Sequence, residues 1–167
     1  MATLISFPVI LLLAILQSSV ISRIVLLHGS ADIILLALVA WSLQEHVKDA
    51  WLWAVLGGLA IGALSGLPLI LTLVAYGLVV AGVRWMRRRI WQVPILAMFV
   101  GTILGTFLVL GFQYIYRMVG GVALSLGDSL SLVILPSILI NLLFSIPMYT
   151  ILTDLAGWMY PANKEKE

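Results

Sequence analysis

The stretch from Ala50 to Arg89 reads AWLWAVLGGLAIGALSGLPLILTLVAYGLVVAGVRWMRRR, uncharged as far as Val83 and closed by Arg84, Arg87, Arg88 and Arg89. One helix over the uncharged part would be roughly 50 Å long at about 1.5 Å per residue, against a hydrocarbon core of roughly 30 Å. The stretch therefore predicts two crossings. Ser65-Gly66-Leu67-Pro68 supplies the reversal, because glycine admits unusual φ and proline cannot continue a helix. Gly58, Gly62 and Gly66, with Ala54 one step earlier, recur at a spacing of four and lay a stripe of small residues along the first arm. Apolar surface gives helices no drive to associate in lipid, so close backbone approach over glycine is the expected source of packing.

Composition extends this reading to the whole chain. Of 167 residues, 63% are apolar and 10% charged, and the mean hydropathy is +1.19, which excludes a domain with a wetted surface. The net charge of +2 does not call for nucleic acid, since four of the nine basic residues fall between Arg84 and Arg89 at a membrane edge. With no cysteine there is no disulfide, thiol chemistry or cysteine-based metal site. The segment Met1–Ser22 is uncharged but has no basic leader and no small-residue cleavage site, which predicts a retained first helix.

Working outward, the apolar windows predict an all-α polytopic protein with spans at about 3–21, 30–43, 50–64, 68–83, 91–116 and 129–153. A polar tail covers 154–167, and 1–167 forms one integral membrane domain. The second span is short for a crossing, and the apolar connector Ile24–Leu27 before it predicts a tilted or protein-covered segment. With the amino terminus inside, the inner segments hold Lys48, the four arginines, Lys164 and Lys166, against Arg23 and Arg117 outside. That asymmetry predicts both termini in the cytoplasm. Trp41, Trp51, Trp53, Trp85, Trp91 and Trp158 all fall beside the loops assigned inside, where aromatic anchors belong.

Catalytic patterns are sparse. His28 and His46 lie in connectors on opposite sides, so neither can serve as base to a serine across the membrane. Gly127-Asp128-Ser129-Leu130-Ser131 lacks the last glycine of a nucleophile elbow and reads as a loop with Asp128 or Ser129 capping the final span. Glu45, His46 and Asp49 lack metal-site spacing, and no phosphate-binding glycine loop is present. No catalytic, cofactor-binding or metal residues are assigned.

Polar residues within the spans carry more information, because hydrocarbon penalises them unless they pair. Ser137, Asn141 and Ser145 recur at a spacing of four between Pro136 and Pro147, with Gln17, beside Ser18 and Ser19, as their natural partner. Two readings stay open for this stripe: hydrogen bonds that fix the bundle, or a cavity or groove for another protein's helix. Ala97, Gly101 and Gly105 repeat the small-residue spacing in the fifth span. Arg84, Arg87, Arg88 and Arg89 are read as an anchor on anionic headgroups and as a docking site for a cytoplasmic partner, two compatible roles. Asp154 is expected at headgroup water or an arginine of that cluster, and Gln113 with Arg117 at the outer interface.

Leu16-Gln17-Ser18-Ser19, Arg23, Ala31-Asp32-Ile33-Ile34-Leu35-Leu36 and Ala40-Trp41-Ser42-Leu43 together resemble the amino-terminal half of the rod shape-determining protein MreD family. Leu64-Ser65-Gly66-Leu67-Pro68 is similar to that family's Ser-Gly-x-Pro hairpin, although the acid often found one helical turn earlier is Gly62 here. The resemblance implies a non-enzymatic scaffold subunit of the bacterial elongation machinery in the cytoplasmic membrane. Its implied partners are an MreC-like single-span protein and, through it, a penicillin-binding transpeptidase, a RodA-type glycosyltransferase and the actin-like MreB filament. It also implies a six-helix fold similar to the substrate-binding subunits of energy-coupling factor transporters. A vitamin-binding subunit of that class is the alternative function, and its Ala-x-x-x-Ala stripe is reduced here to Ala14 with Ser18. A lipid-modifying enzyme would need clustered carboxylates or histidines, whereas the acids are scattered apart from Glu45 and Asp49. Self-association is left open.

Overall fold

The computed structural model describes residues 2–19, 23, 25–89, 93–122 and 125–160; the Arg89 side chain, Trp91, Lys164 and Lys166 lie outside the described residues. The elements are α1 (Ala2–Ser19), β1 (Val25–Leu26), β2 (Gly29–Ser30), α2 (Ile33–Leu43), α3 (Ala50–Ser65), α4 (Leu69–Arg89) and α5 (Pro94–Val119). They continue with a single turn α6 (Leu126–Asp128), a π-helical stretch Ser129–Ile134 and α7 (Leu135–Met159). Three helices are long and apolar enough to cross a membrane, over Leu69–Arg88, Pro94–Val119 and Leu126–Met159. Three shorter apolar helices cover Ile5–Ser19, Ile33–Leu43 and Ala50–Ser65. The chain is thus a helical membrane protein by length and composition.

The centre of the bundle is α2 rather than the 50–89 hairpin. Its sequence, IILLALVAWSL, is apolar all round, which suits a helix covered on every side. All 11 of its residues are buried, and α1, α3, α4, α5 and α7 all pack against it. At about 1.5 Å per residue it is only about 16 Å long, so protein rather than lipid surrounds it.

The reversal between α3 and α4 falls where expected, with Gly66 in the left-handed region at φ 65° as the C-cap of α3. Gly66 serves that turn and no packing stripe, since a Cβ there would meet nothing within 4 Å. Gly58 and Gly62 lie against α4: a Cβ would come to 3.0 Å from the Leu73 Cα and 2.8 Å from the Thr72 Oγ1, respectively. On α5, Gly101 faces Val39 and Gly105 faces Leu35 and Val79, so these glycines let α5 approach both α2 and α4. The arginine cluster does not follow α4 but forms its last turns.

Two tryptophans are displaced from their expected place. Trp41 and Trp53 are fully buried and stack with ring centroids 4.3 Å apart, while Trp51, Trp85 and Trp158 are exposed. The Trp41 indole donates to Asp49 Oδ1 at 3.1 Å, which fixes the α2–α3 connector. Next to it the Gln44 side chain donates to Thr153 Oγ1 at 2.9 Å, and Arg87 donates to the Gln44 carbonyl. Burial, and then the negative charge of Asp49, hold the Tyr160 phenol above its ordinary pKa. Arg84 is half-buried, Arg88 exposed, and Asp154 exposed on α7.

Candidate functional site

At the opposite end of the bundle from the arginines, the chain enters α2 through a two-strand hairpin, β1 paired antiparallel to β2, followed by the irregular residues Ala31 and Asp32. Leu27 has φ 55°, a left-handed conformation that the hairpin turn imposes. Backbone N–H and C=O groups that are buried outside a helix need partners from elsewhere in the protein or from water. Here side chains and backbone of the neighbouring helices supply them, on alternate sides of the segment.

The N–H groups of residues 28, 30 and 32 are directed at the final helical run, which comprises the π-helical stretch and α7. His28 N–H donates to the Leu132 carbonyl at 3.0 Å, Ser30 N–H to Ser137 Oγ at 3.1 Å, and Asp32 N–H to Asn141 Oδ1 at 2.8 Å. The first of these bonds depends on Pro136. In a regular helix the residue at 136 would donate to the Leu132 carbonyl, but proline has no N–H, and the π-helical register before it has Leu135 donating to Leu130 instead. Proline thus leaves the π-helical stretch an acceptor that the hairpin uses. Gly29 permits the approach, since a Cβ there would sit 2.6 Å from the Ser137 N and 2.9 Å from the Pro136 Cβ.

The intervening groups are directed at α1. Gln17 Nε2 donates to the Ala31 carbonyl at 2.9 Å, and Ile33 N–H donates to Gln17 Oε1 at 2.9 Å. One side-chain amide thereby pairs with the backbone on both sides of Asp32, as a residue of a neighbouring strand would. The sequence pairs Gln17 with the Asn141 stripe, but in the structure their bonds run to the same segment from opposite sides and not to each other. Asn141, fully buried, also donates to Thr106 Oγ1 at 2.9 Å. Ser145 bonds within its own helix, to the Leu142 carbonyl at 2.6 Å, and takes no part in the grip.

Asp32 caps α2, its Oδ1 accepting from Leu35 N–H at 2.9 Å, while Oδ2 accepts from the Tyr76 hydroxyl. Tyr76 is buried in α4. Below the clamped segment lies a chamber of about 200 Å³ lined by Gln17, Asp32, Tyr76, Thr106, Asn141 and Ser137 among others. A wider vestibule of about 480 Å³ shares Gln17, Ser30, Ile61 and Ser65 with the chamber and is lined also by His28. Gln113 lines the chamber as well, and with Arg117 and Ser129 it borders a cleft of about 110 Å³.

No family model, curated protein or solved structure matches this chain. The site is therefore read from its own geometry. Among the described residues, no group of three or more His, Cys, Asp or Glu side chains could hold a metal ion. Ser125, rather than Asp128 or Ser129, caps the start of the final helical run, accepting from Asp128 N–H at 3.4 Å. Asp32, Tyr76, Thr106 and Ser30 were not singled out from sequence as site residues. The signal for the first two was an acid at the edge of one apolar window and a tyrosine within another, 44 positions apart.

Elsewhere, α4 and α5 leave an open apolar groove of about 710 Å³ between them, lined by Leu78, Gly82, Trp85, Gly101, Leu104 and Leu108 among others. A Cβ on Gly82 would meet nothing within 4 Å, so this glycine answers no packing need inside the chain.

Proposed function

We propose that this protein is a non-enzymatic scaffold subunit of the bacterial cell-elongation machinery, of the MreD type. In this reading it crosses the cytoplasmic membrane six times with both termini in the cytoplasm, binds an MreC-like single-span protein, and helps to position peptidoglycan synthases. Arg84, Arg87, Arg88 and Arg89 then lie on the cytoplasmic side, against anionic lipid and near the actin-like filament, and the clamped hairpin lies outside.

The observation that carries the reading is the groove between α4 and α5. It is almost wholly apolar and lined in part by Gly82, a glycine that the packing within the chain does not need, which suits the close approach of another transmembrane helix. The polar side chains Gln17, Ser137 and Asn141 support it further, because their mapped bonds are to the chain's own backbone and to Thr106. Affinity purification of the full chain from its host membrane, followed by mass spectrometry, tests the proposal. Co-elution of a single-span periplasmic protein with a penicillin-binding protein is the expected outcome.

One observation favours the alternative, a substrate-binding subunit of an energy-coupling factor type transporter. The chamber and vestibule share four lining residues and together give room for a vitamin-sized ligand. A bound vitamin in the same purification, with neither partner protein, would replace the scaffold reading by this one.

A further inference from the structure

We propose that the chamber beneath the clamped segment binds one hydrated alkali cation, held by the Asp32 carboxylate together with oxygens of Tyr76, Thr106, Asn141 and Gln17. The argument begins with charge. Asp32 is half-buried and lines the chamber, and among the described residues that line it there is no Lys, Arg or His; Arg117 and His28 border the adjoining cleft and vestibule. The nearest fixed positive charge is the start of α2 that Asp32 caps, equivalent to about half an elementary charge. The neutral Tyr76 hydroxyl and the Leu35 N–H also bond the carboxylate, but they carry no full charge, and an ionised group shielded from water calls for a counter-charge.

The donor set says which partner. The polar side-chain atoms at the chamber are carboxylate, amide and hydroxyl groups with no sulfur or imidazole, and such oxygens suit hard cations. A single carboxylate, already half balanced, matches a monovalent ion. A divalent site would gather more acids, and the described residues bring no such group together. Volume says in what form the ion is held. At about 30 Å³ per water molecule, a chamber of about 200 Å³ has room for roughly six waters, so the cation keeps part of its hydration shell. The vestibule, sharing Gln17, Ser30, Ile61 and Ser65, gives the route in. Membrane transporters hold alkali ions where helices are interrupted and unwound backbone lines a cavity; residues 28–32 are such backbone, and because the helix end beside them is the positive start of α2, the ion rests on the side-chain oxygens and not on that end.

The test is thermal unfolding of the purified full chain in micelles, with N-methylglucamine chloride replaced stepwise by sodium, potassium or lithium chloride at constant ionic strength and pH. Saturable stabilisation is expected, the unfolding constant falling about elevenfold when the ion reaches about ten times its dissociation constant. Asp32→Asn keeps a residue that caps helices as well as aspartate does but removes the charge, and it should abolish the cation dependence. Thr106→Val removes one oxygen and should raise the concentration needed for half the effect. Equal stability of the unaltered protein in N-methylglucamine and in all three alkali salts would overturn the proposal. So would an undiminished alkali effect in Asp32→Asn.

Discussion

Replacing Gly29 by alanine tests the docking of the hairpin on α7. The added Cβ would lie 2.6 Å from the Ser137 N, and ordinary contact begins at 3.4 Å, so hairpin and helix must separate by 0.8 Å, the difference of the two. The obstacle is backbone, which cannot rotate away as a side chain can. The bonds from His28 N–H to Leu132 and from Ser30 N–H to Ser137 Oγ, at 3.0 and 3.1 Å, would stretch beyond hydrogen-bonding range. Two membrane hydrogen bonds at about 0.6 kcal/mol each, with overpacking of about 1–3 kcal/mol, give a loss of about 2–4 kcal/mol. Gly77→Ala is the reference, because a Cβ there meets nothing within 4 Å and alanine gains up to about 1 kcal/mol in a helix. Unfolding in mixed micelles with increasing denaturing detergent, followed by tryptophan fluorescence, reads both variants. If Gly29→Ala stays within about 0.5 kcal/mol of the unaltered protein, less than the cost of two such bonds, the docking geometry is wrong.

Three further outcomes are expected. Tyr76→Phe removes the hydroxyl bonded to Asp32 Oδ2 and should lower stability by about 1–3 kcal/mol in the same assay; no loss would show that the pair does not form. Gly82→Leu should not lower stability, since a Cβ there meets nothing within 4 Å and the helix gains up to about 1 kcal/mol, but should reduce capture of the single-span partner at least about tenfold, equivalent to roughly 1.4 kcal/mol; retention of full capture would remove the groove from the interface. Changing Arg84, Arg87, Arg88 and Arg89 to glutamine should scramble orientation, read by impermeant maleimide labelling of Gly66→Cys in this cysteine-free chain. Labelling unchanged from that of the arginine-bearing protein would leave the cluster to docking alone.

The parts of this structure that were legible in sequence are those written in side chains close along the chain. The reversal at Gly66 and Pro68 follows from two residues with restricted or unusual backbone, and the all-apolar character of Ile33–Leu43 points to a covered helix. The polar stripe at Ser137 and Asn141 was visible too, but its partners were not. They are backbone N–H groups of residues 30 and 32, which every non-proline residue carries and which leave no mark in a sequence. Pro136 looked like the edge of that stripe, whereas its effect is to leave the Leu132 carbonyl for His28. Trp41 and Trp53 read as interfacial anchors because tryptophan favours both membrane edges and packed interiors. Only the position of α2 at the centre of the bundle distinguishes the two.

The seating of the extended segment against α7 underlies both the clamp and the chamber, and disulfide cross-linking measures it directly. Ser30→Cys combined with Ser137→Cys should form an intramolecular bridge rapidly under mild oxidation, because Ser30 N and Ser137 Oγ are 3.1 Å apart. Ser30→Cys with Ser129→Cys, about two turns further along the same helical run, should not. Equal cross-linking of the two pairs, or none in the first, would contradict a hairpin bolted to the last helix.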